Sequence, residues 1–273
     1  MSDNNTLISV IMGAYNASET IADAIESIIS QTYEDWEFII CDDCSTDNTY
    51  QIIEEYTKKD KRIIALKNEK NMRLAATLNR CLEVARGSFI ARMDADDLSL
   101  PDRFMRQIRF LEDHPQYDCV GCGRMIFDSE GKHGIRRSKE YPSKSDLLFD
   151  TPFAHPTIMM KKEVYDSLEG YTVSEATMRA EDLDLWFRFY AKGYSGYNIQ
   201  DVHYMYREGK EDLKKRSLKA GIQTAKVFYN GYKLIGVPFY KRILCLKPII
   251  SAIIPKSIMV RYYSKWREKE YLK

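Results

Sequence analysis

Arg92-Met93-Asp94-Ala95-Asp96-Asp97 places three carboxylates within four residues. The run follows Gly87-Ser88-Phe89-Ile90-Ala91, which reads as a buried strand, and precedes Leu98-Ser99-Leu100-Pro101-Asp102-Arg103, where proline suits the opening of a helix. Carboxylates packed onto one tight turn repel each other unless a cation neutralises them. Asp94 and Asp96, one residue apart, can aim oxygens at a single hard divalent ion, and Mg²⁺ held by one or two carboxylates completes its shell with water and substrate phosphates. The same residues also suit a plain acidic helix start, favoured by capping and by the helix dipole. A second acidic group, Ala180-Glu181-Asp182, opens a stretch in which Leu183, Trp186, Phe187 and Tyr190 share one helical face. That face reads as core, and the pair before it can be catalytic or only a complement to the dipole.

The elements that must position these groups come in a regular alternation. Leu7 to Met12 is a continuous apolar strand ending in Gly13-Ala14-Tyr15-Asn16, and its helix carries Ile21, Ile25, Ile28 and Ile29. Trp36 to Cys41 forms a second strand, ending in Asp42-Asp43-Cys44, with Ile52, Ile53 and Tyr56 on the following helix. Ile63 to Leu66 and the helix Leu74 to Ala85 make the third unit, and the fourth strand delivers the Asp run before a helix that buries Phe104, Ile108 and Leu111. Four strand–helix alternations predict a doubly wound parallel sheet. Ligands bind beyond the carboxyl ends of such strands, where Tyr15, Asp43 and Asp94 to Asp96 all fall. No G-x-G-x-x-G follows the first strand and no Walker-type loop is present, which counts against dinucleotide and P-loop chemistry. Downstream, Asp118 to Phe127 and Gly134 to Ser138 read as strands around a turn at Asp128-Ser129-Glu130-Gly131, and Thr157 to Lys161 as another.

A chain of 273 residues fits one large domain or one domain with an appendage. Its formal charge of +1 conceals an asymmetry: Tyr204 to Lys273 holds 17 Lys and Arg against 5 Asp and Glu, a net +12, whereas Met1 to His203 carries −11. An acidic body with a basic tail implies two different partners. The pairs Cys41/Cys44 and Cys119/Cys122 have metal-like spacing, but they sit in or at the end of strands, where ligands do not converge on a tetrahedral ion. The opening Met1-Ser2-Asp3-Asn4 has no leader pattern, so free thiols in a reducing cytosol are expected.

The runs Ser9 to Ser18 (SVIMGAYNAS), Asp42 to Thr49 (DDCSTDNT), Gly87 to Arg103 (GSFIARMDADDLSLPDR) and Ala180 to Arg188 (AEDLDLWFR), with Asn71 and Asn79, resemble the family 2 glycosyltransferases of bacterial polysaccharide biosynthesis. The resemblance covers roughly the first 205 residues. It implies the GT-A fold, a Rossmann-like mixed α/β sheet with helices on both faces, followed here by a C-terminal helical tail. It divides residues 1–205 into a nucleotide-binding half (1–100) and an acceptor-binding half (101–205), and leaves 206–273 as a basic amphipathic tail. It implies an inverting transfer of sugar from a nucleotide-diphosphate donor, most often a UDP-sugar, to a hydroxyl of a glycan or lipid-linked acceptor, with Mn²⁺ or Mg²⁺ as cofactor. On this pattern Ala14 and Tyr15 border the base, Asp43 hydrogen-bonds it, Asp94 and Asp96 hold the metal and diphosphate, and Asp182 is the general base with Glu181 beside it. These roles suit the chemistry: the diphosphate leaves as an anion, and an attacking hydroxyl must lose a proton.

The chain departs from the family pattern at two places. Met72-Arg73 follows Asn71 where a glycine is common, so Arg73 either faces the donor phosphates or is only a solvated helix start. Tyr206-Arg207 is followed by Glu208-Gly209 rather than by a histidine two residues on, and the nearby histidine is His203, which leaves a third metal ligand unassigned. His155, before Pro156, either lines the acceptor pocket or is structural.

In the tail, Lys241, Arg242, Lys247, Lys256 and Arg261 punctuate apolar residues, with Phe239, Tyr240, Tyr262, Tyr263 and Trp266 flanking them. Its charge-free run Pro248 to Pro255 is far shorter than the ~20 residues of a membrane span, and its prolines break a single helix. This composition suits a helix pair on the anionic inner face of the cell membrane, making a peripheral cytoplasmic enzyme, or else a helical cap on the core with a solvated basic face. Two other functions compete: a sugar-1-phosphate nucleotidyltransferase of related fold, which needs a glycine-rich, Arg-bearing first loop, and a binding or scaffold protein using the tail. The acidic front half argues against nucleic acid as its partner.

Overall fold

In the computed structural model the described residues are 6–208 and 217–254. The first strands are β1 (Ile8–Ala14), β2 (Trp36–Asp42), β3 (Ile63–Lys67) and β4 (Phe89–Arg92), alternating with α1 (Ile21–Ile29), α2 (Thr49–Lys59) and α3 (Leu74–Val84). These four strands are parallel, in the order β3-β2-β1-β4. Alternation along them sends side chains to opposite faces. Val10, Met12, Phe38 and Ile40 join one core with Ile21, Ile25, Phe104 and Ile108, while Ile11, Ile39, Leu78 and Ile90 join another with Leu183 and Trp186. Both faces of the sheet are therefore covered by helices, which is why its strands read as continuous apolar runs.

Beyond β4 the sheet is mixed rather than purely parallel. β5 (Leu98–Ser99) stands where the sequence suggests a helix start, and α4 (Arg103–Asp113) follows it. β6 (Cys119–Asp128) and β7 (Gly131–Arg136) form a hairpin; β8 (Met159–Lys161), α5 (Lys162–Ser167) and α6 (Glu181–Ala191) come next. The longest strand, β9 (Gly196–Arg207), is not among the sequence expectations, although Tyr197, Ile199, Tyr204 and Tyr206 keep a strand-like spacing in it. β8 lies antiparallel between β4 and β6, so β6 and β9 run in the same direction as β4. Their carboxyl ends consequently reach the same edge of the sheet as Asp94. Cys119 and Cys122 enter the cores on opposite faces, and all six cysteines are free thiols.

Two helices follow, α7 (Leu218–Leu234) and α8 (Lys247–Ile253), with a 3₁₀ segment, Phe239–Leu246, between them. α7 packs on α6: Phe187 meets Phe228 and Tyr232 edge-on at 6.0 and 5.8 Å, and the buried Tyr232 hydroxyl donates to the Leu148 carbonyl at 3.0 Å. Gly231 permits this approach, since a Cβ there would collide with the Phe187 ring. Pro248 lies in the first turn of α8, where its missing N–H is no loss. Pro255, Lys256, Arg261, Tyr262, Tyr263 and Trp266, named above for the tail, lie outside the described residues.

Candidate active site

β1 and β2 end side by side, and the Asp43 amide donates to the Ala14 carbonyl at 2.8 Å. Ala14 is buried, whereas Tyr15 is half exposed beyond the strand end. Asp43 is buried and holds the loop after β3 in place. One of its oxygens accepts from the Asn68 amide group and the Met72 N–H, both at 2.7 Å, and the other accepts from the Arg73 N–H at 2.9 Å. Arg73 caps α3 with φ +72° and ψ 163°, a region essentially restricted to glycine. The family's glycine thus has a backbone reason, and here an arginine occupies that conformation with its side chain exposed.

The turn after β4 is organised by a residue to which the sequence assigns no role. Arg92 is 1% exposed; its guanidinium lies 2.6 Å from the Asp94 carboxylate and also donates to the Met93 carbonyl. The signal in the sequence is a charged residue ending a buried strand. Arg103, equally buried, donates to the Arg92 carbonyl at 2.9 Å and to the Pro156 and Ile158 carbonyls at 3.3 and 3.2 Å. It fastens the end of β4 to the segment that carries His155. The third acid, Asp97, is buried and accepts from the Arg207 N–H at 2.7 Å, while Arg207 Nε donates to the Asp96 carbonyl at 2.7 Å. Burial, then Asp94 and Asp96, raise the Asp97 carboxyl well above the usual range. Asp94 is partly exposed and Asp96 exposed.

Glu181 and Asp182 form the first turn of α6, after Ala180. Both feel the charges of Arg92 and Asp94, so the second acidic group lies within electrostatic reach of the Asp run. Burial first, then Asp182, push Glu181 up to about 7, and its Oε2 is a buried atom without a hydrogen-bond partner. Asp182 is also raised, by burial and by Asp94, against the Leu183 N–H that donates to its Oδ1 at 2.7 Å. His155 joins the same cluster. Its Nε2 lies 2.8 Å from the Tyr171 hydroxyl, which is 3.1 Å from that of Tyr165, and its ring meets Trp186 edge-on. Burial and the neighbouring Arg92 hold this imidazole well below the ordinary range, hence neutral. His203 is occupied elsewhere, with Nδ1 2.9 Å from the Asp102 carboxylate.

Asp94, which keeps an oxygen beyond its Arg92 contact, and the exposed Asp96 suit a divalent ion that shares its shell with a substrate diphosphate, since a few hard oxygens on one turn are what such an ion takes from protein. Among the described residues no three His, Cys, Asp or Glu side chains are grouped to hold a metal by themselves.

The family model described as glycosyl transferase family 2 matches residues 9–185, which contain every acidic group named above. The chain belongs to glycosyl transferase family 2. This family 2 glycosyltransferase is 44% identical over 259 residues to EpsE of Bacillus subtilis (strain 168), a protein named for glycosyltransferase activity, covering 94% of this chain and 93% of that protein. It is 30% identical over 244 residues to WfaP of Escherichia coli, named UDP-Glc:alpha-D-GlcNAc-diphosphoundecaprenol beta-1,3-glucosyltransferase, covering 88% and 91% of the two chains. Among solved structures, the mannosyltransferase PcManGT of Pyrobaculum calidifontis, in complex with GDP-Man and Mn²⁺, superposes with a TM-score of 0.66 at 18% identity over 97% of this chain and 81% of that one. The fold is GT-A, as the sequence resemblance implies, and the nucleotidyltransferase and scaffold readings fall away.

Proposed function

We propose that this glycosyltransferase is an inverting, metal-dependent enzyme that moves a sugar from a nucleotide-diphosphate donor, a UDP-sugar, to a hydroxyl of a glycan or lipid-linked acceptor in cell-surface polysaccharide biosynthesis. The observation that carries this reading is the shared surroundings of two acidic groups far apart in sequence. Asp94, from the end of β4, and Glu181 and Asp182, from the start of α6, all lie around the buried Arg92 guanidinium. UDP as carrier, and a lipid-linked acceptor, follow the name of the relative WfaP.

In this scheme Ala14 and Tyr15 border the base, and Asp43 orders the loop 68–73 beside it while its second oxygen keeps capacity for the base. Arg73 reaches the donor phosphates. Asp94 and Asp96 hold Mn²⁺ or Mg²⁺, which supplies positive charge where the diphosphate departs. On the acceptor side the attacking hydroxyl gives its proton to Asp182 and its oxygen bonds to the anomeric carbon as the bond to the diphosphate breaks. One in-line displacement inverts that carbon. Arg92 keeps several carboxylates compatible in one place before any ligand arrives, and His155 holds the wall of the acceptor pocket through Tyr171.

A specific observation favours a second reading for the base. Glu181, not Asp182, has a buried carboxylate oxygen without a partner and a proton affinity near neutrality, both suited to general-base work. A donor screen, UDP-sugar turnover with Mn²⁺ and Mg²⁺, tests the overall scheme, and Asp182→Asn against Glu181→Gln tests the base. The true base variant should lose ~10²–10⁴-fold in turnover with donor affinity nearly unchanged. Retention of turnover by both variants would overturn a carboxylate base from α6.

The same proposal places the enzyme on the anionic inner face of the membrane. Phe239, Tyr240, Ile243, Ile250 and Ile253 are all exposed, by 80, 72, 68, 59 and 68%, with Lys241 and Lys247 among them. No described helix is long and apolar enough to cross a membrane. An apolar surface interleaved with cations suits the headgroup region of anionic lipid.

A further inference from the structure

Arg124 on β6 and Arg136 on β7 stand directly opposite each other in an antiparallel ladder. Like charges in that position destabilise a hairpin, so the pair needs an explanation. Arg136 has one: its guanidinium makes two 3.1 Å bonds to the Glu208 carboxylate. Arg124 makes no such carboxylate bond among the described residues. Its Nη1 is buried and unbonded, and its guanidinium carbon lies 6.0 Å from the centre of the Tyr206 ring. A guanidinium does not shed its proton at any accessible pH, so it cannot escape burial by neutralising.

Both arginines line a cavity of about 310 Å³, with Arg137, Lys139, Asp146 and Asp150 also in its walls. Lys139 is bound to Asp146 at 3.0 Å, and Arg137 Nε donates to the Gln200 carbonyl at 2.9 Å. The Asp150 carboxylate accepts from the Thr151 N–H at 2.8 Å. With Glu208 included, four cations face three acids: two are paired, and Arg124 and Arg137 share the one remaining carboxylate, Asp150, which leaves a net positive charge in the walls. A guanidinium fork lining such a cavity fits an oxyanion of the phosphate class.

The position of the cavity identifies its ligand further. Arg124 is in register with Tyr204, whose hydroxyl lies 3.3 Å from the Asp94 amide, so one wall of the pocket stands next to the strand that touches the donor turn. Ala154, in its wall, directly precedes His155. At the other side Lys247 Nζ donates to the carbonyl of the wall residue Phe149 at 2.7 Å, which ties the pocket to the start of α8 with its exposed Ile250 and Ile253. We infer that this pocket is a second anion site, which holds the phosphate-class group of an acceptor that carries it on an apolar chain. The inference rests on the transferase reading above for the word acceptor, but not for the anion.

The test uses the full chain saturated with UDP and Mg²⁺, and titrates geranyl phosphate and inorganic phosphate at constant ionic strength by calorimetry. Geranyl phosphate should bind the UDP complex, Arg124→Gln should weaken it by about tenfold or more, and UDP affinity should be unchanged in that variant. Without ligand, Arg124→Gln should melt no lower than the parent chain, because it removes a repulsion; a merely structural arginine would lower the melting temperature. If Arg124→Gln fails to fold, Arg124→Lys, which keeps the charge and loses the fork, should show the weakening. Equal geranyl phosphate affinity in the parent and the variant, competition between geranyl phosphate and UDP, or binding of inorganic phosphate alone would each overturn the proposal. Loss of UDP binding with geranyl phosphate binding intact would overturn the donor reading and leave this pocket standing.

Discussion

Arg92 and Asp94, two residues apart, meet at 2.6 Å with the arginine buried and the carboxylate about one-third exposed. This contact places a permanent positive charge beneath the acidic turn, and Glu181, Asp182, His155 and Tyr171 all respond to it. Removing one partner of a buried pair leaves the other's charge uncompensated. Arg92→Met should therefore lower unfolding stability by about 3 kcal/mol, read from urea denaturation, and an unchanged midpoint would show that the guanidinium does not hold the centre together.

Asp96 is exposed at the tip of the turn. Asp96→Ala should leave stability within about 0.5 kcal/mol while removing most of the Mn²⁺-dependent part of UDP affinity. Calorimetry with and without Mn²⁺ separates the two effects. A metal-dependent gain that survives the substitution would remove Asp96 from the metal site.

The Glu181 carboxyl, raised from an ordinary 4.5 to about 7, makes stability depend on pH. Between those values the folded chain keeps a proton that the unfolded chain releases. The group therefore favours the folded state fully below pH 4.5, and that contribution is lost as pH rises through 7. Glu181→Gln should match the parent protein at low pH and exceed its stability at pH 8 by on the order of 2–3 kcal/mol. Melting curves across this range give the answer, and parallel curves for the two proteins would mean that Glu181 titrates normally.

Arg73 pays for its position in backbone strain, at φ +72° and ψ 163°. Arg73→Gly and Arg73→Ala both delete the guanidinium, but only glycine relieves the strain. The glycine variant should be more stable than the alanine variant by about 1 kcal/mol, and the two should raise the KM for the UDP-sugar equally. Unchanged KM in both would return Arg73 to a solvated helix start.

For the membrane surface, Phe239→Ser with Ile243→Ser should reduce flotation with anionic liposomes, and added salt should weaken flotation of the parent chain. Salt-insensitive flotation, equal in parent and variant, would exclude this face as the contact.

The parallel half of the sheet and its acidic turn are legible in the sequence because the information is local. Apolar runs such as Val10 to Met12, covered on both faces, and the turn that follows a buried strand need no partner to be recognised. The motifs around Asp43, Asp94 and Asp182 could be read as three separate groups, and their order along the chain implied the family. What links them depends on residues distant in sequence and was decided by the tertiary structure. β9 pairs with β6 and β5, and this pairing brings Arg207 back onto Asp96 and Asp97, about a hundred positions away. Burial makes Arg92 the common counter-charge of Asp94, Glu181 and Asp182, and a strand ending in arginine does not announce that on its own. The conformation of Arg73 goes with Asp43 accepting two consecutive amides, and Arg124 and Arg136 face each other because the hairpin register sets them opposite. Composition records which charges a chain contains; the fold determines which of them meet, and at what distance from water.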